Sequence, residues 1–404
     1  MIYADYNATA PVLTEVRDAM APWLEGEFGN PSSQHYPLGA RAAKAVEQAR
    51  EQLAALLNCF PDEIVFTSGG TESCFLALVG AAYAREDTVN AVKATKPTQM
   101  VLTAAEHPAV WEAAEFLRQS PFALRLSEVE LNADGALEGD SLSRSITSDT
   151  LLVSVMGANN ETGVIFSIEK VAALCKKIGA LLHTDAVQLV GREPFDVAAH
   201  PAELISLSGH KFGAPKGVGA LVVKRKTAWR SPVVGGGQEF GRRGGTLAVS
   251  QIVGLGAAAQ VALRRLQETP SLGWSHVRDY FEREVCRAVP RAQIVGQECA
   301  RLSNTSCVII PGTVALDLIE RLGRHGICIS AGSACSASHA TPSRVLLAMG
   351  FSPFDALAAI RVSFGPSSTI EDSQLIVQAL SEEVDLQRES ALAKLGASLL
   401  SVPQ

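Results

Sequence analysis

The sequence predicts an α/β protein, with a large domain built on a mostly parallel sheet covered by helices and a smaller α/β domain beside it. Three observations carry this expectation. Between about residues 60 and 225, short β-rich runs alternate with helical patterns, the arrangement produced when parallel strands are joined by crossover helices. The chain has 404 residues, 47% of them hydrophobic and 19% charged, enough for a large core and for two domains of roughly 100–200 residues each. Beyond residue 255, strands and helices mix again on a smaller scale.

In chain order, the β-rich runs are "EIVFTS", "QMVLTAA", "LRLSEVEL", "TLLVSVMG", "ALLHTDA", "ELISLS" and "GALVVK". The helical patterns "TESCFLALVGAAYAR", "AVWEAAEFLRQ" and "SIEKVAALCKKIG" stand between them. The glycine-rich "GGGQEFGRRGGT" then gives way to the alanine-rich "SQIVGLGAAAQVALRRL", which reads as a linker helix. After it come "NTSCVIIPG" and "GICIS" as short strands, "PSRVLLAMG" as a helix, "AIRVSFG" as a strand and "SQLIVQALSEEVDLQRE" as a last amphipathic helix. The expected division is a large domain over 12–255 and a small domain made of 1–11 and 256–404. The sequence shows no fixed-period repeat, so a solenoid is not expected.

Composition narrows the function. The longest apolar runs fall far short of the roughly 20 residues that a membrane-spanning helix needs. The N-terminus "MIYADYNATAP" has neither a basic stretch nor a cleavable apolar segment. No membrane association is expected, and the expected location is the cytoplasm. Net charge is −7, and no basic block or aromatic–basic stripe offers a grip on nucleic acid, so a small-molecule substrate is favoured. Eight cysteines, at 59, 74, 175, 286, 299, 307, 328 and 335, occur without a C-x-x-C pair. Neither a metal site nor a disulfide framework is signalled.

Ligands of open α/β sheets bind beyond the carboxyl ends of the strands, and the polar residues there form a coherent set. The runs lead into His107, into Asn159 and Asn160, into Asp185 and Gln188, and into Ser208, His210 and Lys211. Each has an ordinary reading: a core histidine, a turn former, a helix cap, a paired or snorkelling lysine. Together they are better read as one pocket. In "FTSGGTES" a strand runs through Gly69 and Gly70 into a helix opening at Thr71 and Glu72. That is either a tight turn or a phosphate cradle formed by helix N–H groups. Neither G-x-x-x-x-G-K-[ST] nor G-x-G-x-x-G is present, which disfavours a P-loop NTPase or a nicotinamide enzyme.

A phosphate cradle, a desolvated lysine, an aspartate and a flat imidazole suit pyridoxal 5′-phosphate. Its aldehyde condenses with a lysine amine, its pyridine nitrogen keeps a proton opposite a carboxylate, and its ring takes a flat partner above it. Lys211, Asp185 and His107 are the candidates for these roles.

These motifs resemble the NifS-like cysteine desulfurases, of the class V aminotransferase group within the fold-type I pyridoxal phosphate enzymes. "YADYNATAPV", "GNPSSQH", "FTSGGTES", "EHPAV", "ANNETG", "HTDAVQ", "SGHKFGAPKG", "GGGQEFGRRGGT", "SAGSACSAS" and "AIRVSFG" follow in order over nearly the whole chain. The resemblance implies that Lys211 forms the Schiff base, Asp185 partners the ring nitrogen, Gln188 bonds the phenolic oxygen and His107 stacks and moves protons. Gly70, Thr71, Ser208 and His210 would hold the phosphate, joined by Thr246 from a second subunit of a homodimer. Asn160 and Arg361 would bind the substrate carboxylate.

By the same resemblance Cys335 takes sulfur from L-cysteine, giving L-alanine and an enzyme-bound persulfide for a sulfur-acceptor protein, as in iron–sulfur cluster assembly. Its Gly/Ala/Ser setting suits an accessible, ionisable thiol. Cys175 and Cys286, on helical patterns, fit small buried cysteines better. Cys74 and Phe75 stand where many relatives of that family carry asparagines, and the C-terminus lacks the family's histidine-bearing tail. The alternatives are a selenocysteine lyase, an ordinary aminotransferase and a non-catalytic partner-binding subunit.

Overall fold

The computed structural model describes residues 1–92, 98–269, 274–332 and 341–400, with the side chains of 86–92 and 390–400 excepted. The chain opens with the short strand β1 (Ile2–Tyr3), followed by helices α1 (Thr14–Glu25) and α2 (Pro37–Leu57). The β-rich runs then form β2 (Ile64–Thr67), β3 (Gln99–Thr103), β4 (Arg125–Val129), β5 (Thr150–Ser154), β6 (Leu181–Asp185), β7 (Leu204–Ser208) and β8 (Gly219–Val223). Helices α3 (Gly70–Val92), α4 (Pro108–Gln119), α5 (Gly139–Ser145) and α6 (Glu169–Ile178) alternate with them.

Among the described residues these seven strands make one sheet in the order β2-β8-β7-β6-β5-β3-β4. Pairing is parallel from β7 through β6, β5 and β3 to β4, while β8 runs antiparallel to both β7 and β2. Alternation along the strands explains why both faces are covered, because successive side chains point to opposite sides. Val65, Met100, Leu102, Leu204 and Leu221 pack with buried residues of α3 and α4. Their strand neighbours Phe66, Val101, Ile205, Leu207 and Val222 pack into a second core with residues of α2 and α6.

The glycine-rich stretch ends at α7 (Val249–Glu268), which packs on α1 and α2. The rest of the chain supplies α8 (Ser275–Ala288), β9 (Gln293–Ile294), β10 (Thr305–Ile309), α9 (Ala315–Arg324), β11 (Ile327–Cys328), β12 (Ser330–Ala331), α10 (Arg344–Ala348), α11 (Pro353–Leu357), β13 (Ala359–Ser363) and α12 (Ile370–Leu400). A four-stranded sheet runs β12-β13-β10-β9, and β1 pairs in parallel with β11. Val277, Phe281, Leu318, Ile360, Phe364 and Ile376 close a separate core that also holds Ala4. The N-terminal strand therefore belongs with the end of the chain, and the residues after it cross back over the large sheet.

One cysteine departs from expectation. Cys175 is buried in α6, but Cys286 of α8 is exposed. The inward face of α8 is made by Val277, Phe281, Glu282 and Val285, and one further residue turns Cys286 by about 100° away from it.

Candidate active site

The carboxyl ends of β3, β5, β6 and β7 converge with the first turn of α3 on a cavity of about 300 Å³. Gly70, Thr71, His107, Asn160, Asp185, Gln188, Ser208, His210, Lys211 and Arg361 all line it. Asn7, Ala8, Cys74 and Met156 complete much of the wall. Thr246 is exposed and lies outside this cavity. Cys335 lies outside the described residues. A neighbouring cavity of about 290 Å³ shares Lys211, but its wall is largely apolar, with Pro11, Leu13, Phe212 and Trp274. It gathers neither Asp185 nor His107, so the chemistry points to the first cavity.

Lys211 closes a 3₁₀ turn, Gly209–Lys211, directly after β7. The turn needs glycine at 209, since a Cβ there would meet Ala214 Cβ at 2.8 Å and Leu255 Cδ1 at 2.9 Å. Lys211 Nζ donates to the carbonyl oxygens of Asn7 at 2.7 Å and Ala8 at 2.9 Å. Among the described residues it makes no ion pair. Burial, reinforced by the cations Arg192 and Arg361, pulls its pKa down to about 8. The amine is thus available as a free base near neutral pH, which an ordinary lysine is not.

Asp185 ends β6, where Oδ1 accepts the backbone N–H of Val187 at 2.9 Å. Among the described residues, Oδ2 accepts only from the Cys74 thiol, at 3.8 Å. Burial raises the carboxyl pKa because the site deprives the anion of water without supplying a strong donor. His107 caps α4 through Nδ1, which accepts from Ala109 N at 3.1 Å. Nδ1 is thereby the acceptor, so the neutral ring carries its hydrogen on Nε2. Burial lowers the pKa of His107, with Lys211 adding to the effect and Asp185 opposing it.

Asn159 and Asn160 divide their labour. Asn159 is the turn former: Oδ1 accepts from Glu161 N and Thr162 N, both at 2.9 Å, and Nδ2 donates to Ala105 O at 3.1 Å. Asn160 lines the cavity, and its carbonyl accepts from Arg361 Nη1 at 3.1 Å and Asn7 Nδ2 at 3.1 Å. Arg361, on β13, is 1% exposed. Its Nη2 donates to Asp5 Oδ1 at 2.7 Å, while Nε is buried without a partner among the described residues. An unmet buried donor of a cation is costly, and it borders a cavity whose other walls carry an amine and an amide.

The phosphate candidates cluster at the amino end of α3. The helix starts at Gly70, so its first N–H groups have no acceptor within the helix. A Cβ on Gly70 would come within 3.0 Å of Val187 Cγ2 and 3.4 Å of Ser208 Cβ, so glycine keeps this corner open. His210 Nδ1 is 3.0 Å from Thr9 Oγ1, and burial with Lys211 nearby pushes its pKa down to about 4.

Behind this wall, His183 bridges Ser154 Oγ at 2.8 Å and Ser206 Oγ at 2.9 Å across three adjacent strands. Burial pushes its pKa down to about 3, so it is neutral. Glu106 accepts from Met156 N at 2.7 Å, and burial together with Asp185 pushes its pKa up to about 8. Sequence reasoning passed over two residues, Asn7, which lines the cavity, and Arg192, which borders the neighbouring cavity and bonds Asn7, Gln188 and Lys211 from behind the wall. Asn7 lies in the quoted N-terminal motif, and Arg192 follows Gln188 by four positions, but neither ends an apolar run.

Residues 2–376 match the family model described as aminotransferase class-V. Over 390 residues the chain is 39% identical to a cysteine desulfurase of Sinorhizobium fredii (strain NBRC 101917 / NGR234), an alignment covering 96% of this chain and 98% of that protein. Among solved structures, a NifS-like protein superposes with a TM-score of 0.85 at 32% identity, covering 95% of this chain and 99% of that one. The structure described as SspA in complex with cysteine gives a TM-score of 0.76 at 31% identity, covering 91% and 100% respectively.

Proposed function

Because the chain belongs to the aminotransferase class-V family, we infer that it is a cysteine desulfurase, an enzyme that takes the sulfur of L-cysteine and releases L-alanine. The observation that carries this reading is the convergence in one cavity of an amine with pKa about 8, a buried carboxylate and a buried guanidinium whose Nε–H has no partner among the described residues. The similarity to a curated cysteine desulfurase over nearly the full chain supports the same conclusion.

The cavity fits pyridoxal 5′-phosphate. Asp185 Oδ2 is a buried carboxylate oxygen met only by a thiol among the described residues, and a protonated ring nitrogen is the donor it lacks. Lys211 would carry the aldehyde carbon, Gln188 would meet the phenolic oxygen and His107 would lie against the ring. Gly70, Thr71, Ser208 and His210 would hold the phosphate. When bound, this cofactor supplies an electron sink for the pair left as the substrate's α-proton departs.

The chain's own residues do the rest. Lys211, whose pKa of about 8 leaves an appreciable free-base fraction near neutral pH, can accept a proton at Nζ in that form. His107 holds a proton at Nε2 and can exchange it, since Nδ1 is engaged by the backbone. Arg361 and Asn160 would bind the substrate carboxylate and so fix the direction of its side chain. We assign sulfur capture to Cys335: its thiolate bonds to the substrate sulfur as the carbon–sulfur bond breaks toward carbon. A persulfide then remains on the protein, and protonation of the carbon fragment yields alanine.

Three further elements belong to the same proposal: a homodimer in which Thr246 reaches the other subunit's phosphate, a sulfur-acceptor protein such as one serving iron–sulfur cluster assembly, and a domain division at residues 12–255 against 1–11 with 256–404. The separate core around Phe281 and Ile360 supports the division. The deciding experiment incubates the purified protein with pyridoxal phosphate and L-cysteine and measures alanine and protein persulfide, with selenocysteine in parallel. Alanine from cysteine is expected. Cleavage of selenocysteine alone would instead assign a lyase.

A further inference from the structure

Arg192 is 3% exposed, and among the described residues no carboxylate pairs with it. Its guanidinium is met by neutral acceptors instead. Nη2 donates to Tyr6 O at 2.6 Å and to Lys211 O at 3.0 Å, and Nε donates to Lys211 O at 3.2 Å. Nη1 donates to Asn7 Oδ1 at 2.7 Å and to Gln188 Oε1. The acceptors come from three separate parts of the chain, the N-terminal segment, the turn after β6 and the turn after β7. Asn7, Gln188 and Lys211 all line the cavity.

A buried cation without a counter-ion is an expensive group to keep, and a plain packing role would be filled at lower cost by an apolar side chain. What an arginine offers here is a rigid fork of donors that a lysine cannot reproduce. The inference rests on the reading of Lys211 as the residue that receives the cofactor. We propose that Arg192 is a positioning residue for that lysine and for Gln188, locking both against the N-terminal segment so that the amine and the amide meet the cofactor in a fixed arrangement.

The unpaired charge has a second effect on the same lysine. The groups acting on Lys211 are Arg192 and Arg361, which disfavour its proton, and Asp185 and Asp5, which favour it, with His107 and His210 beside it. After burial, Arg192 is the largest influence that disfavours the proton on this amine.

Uptake of pyridoxal phosphate by the full-length apoprotein, followed by its visible absorption across pH, tests this for the wild type, Arg192→Met and Arg192→Lys, with melting curves to establish folding. In Arg192→Met the pH of half-maximal uptake should move up by about one unit, so that uptake at pH 7 slows about tenfold. Arg192→Lys keeps the charge, so its midpoint should stay near that of the wild type, but without the fork its release of the cofactor should be about fivefold faster. If Arg192→Met does not fold, the release rate of Arg192→Lys decides alone. Variants that match a cofactor-binding wild type to within about twofold in midpoint and release overturn the inference, this margin being the ordinary scatter of such effects. A wild-type apoprotein that takes up none overturns the reading of Lys211 itself, and the inference with it.

Discussion

Arg361 Nη2 lies 2.7 Å from Asp5 Oδ1, an ion pair that joins β13 to the residues just after β1 and leaves the guanidinium Nε facing no partner among the described residues. The protein therefore fixes one edge of the fork and leaves the other to be met. Arg361→Lys keeps the charge but loses the fork. KM for cysteine should rise about 10- to 100-fold, the equivalent of about 1.5–3 kcal/mol for hydrogen bonds to a charged group, with the cofactor still bound. Steady-state kinetics check this, and an unchanged KM would remove Arg361 from carboxylate binding.

The depressed pKa of Lys211 makes a prediction about stability. Its folded value of about 8 lies below the roughly 10.4 of an unfolded lysine. Between those values the unfolded chain binds more protons, so this group's penalty is complete below about pH 8 and fades as pH rises toward about 10. In the apoprotein, the melting temperature of Lys211→Met relative to the wild type should therefore be highest at pH 7 and fall steadily to pH 10. Melting curves across that range test it, and a difference independent of pH would mean that the amine is not perturbed.

Asp185→Asn should fold and retain some cofactor, since the bond to Val187 N survives in an amide. Turnover should fall by about 10²-fold or more, the usual scale for removing one preorganised electrostatic group from a water-excluded site. Alanine production by holoprotein of matched cofactor content is the measurement. Full activity would reduce Asp185 to a turn cap.

Cys335→Ala should keep the bound cofactor, yet form no persulfide. Most of its competitors are poor nucleophiles: burial pushes Cys59, Cys175 and Cys307 up to about 12, and Cys74 well above the ordinary thiol value. Exposed Cys286 is also raised. Brief iodoacetamide treatment near neutral pH, followed by peptide mass spectrometry, should find Cys335 modified first. Persulfide in the Cys335→Ala variant would move the reaction to another thiol.

Much of this site was legible because parallel strands announce themselves as apolar runs whose ends lie at the ligand. "LISLSGHK" contains β7, its turn and Lys211 in eight letters, and "HTDAVQ" does the same for Asp185 and Gln188. The ordinary readings shift alongside the functional ones: Asp185, read as a helix cap, bonds a turn N–H, while His107, read as a core histidine, is the residue that caps α4. Arg192 and Asn7 were not legible, because they act through carbonyls and amides distant in sequence and no spacing rule connects residue 7 to residues 188, 192 and 211. Helix α1 buries only Val16 and contains Pro22, which leaves a faint pattern. By contrast, α2 repeats Ala42, Val46, Ala49, Leu53 and Leu57 at helical spacing, a signal that was present. Cys286 shows the limit of helical reasoning, where one position separates a core residue from a solvent-facing one.

Asn7 N donates to Ser363 Oγ at 3.0 Å and Asn7 Nδ2 to Thr305 Oγ1 at 2.9 Å, so the segment that supplies two carbonyls to Lys211 is itself held by the last strands of the chain. A ribosome makes that segment first and its anchors last. At about 5–20 residues per second, the large sheet can assemble around Lys211 well before Arg361 and Ser363 have been synthesised. The nascent chain thus carries the amine for many seconds without its finished enclosure, which closes only when the segment around Asn7 is joined by β10 and β13.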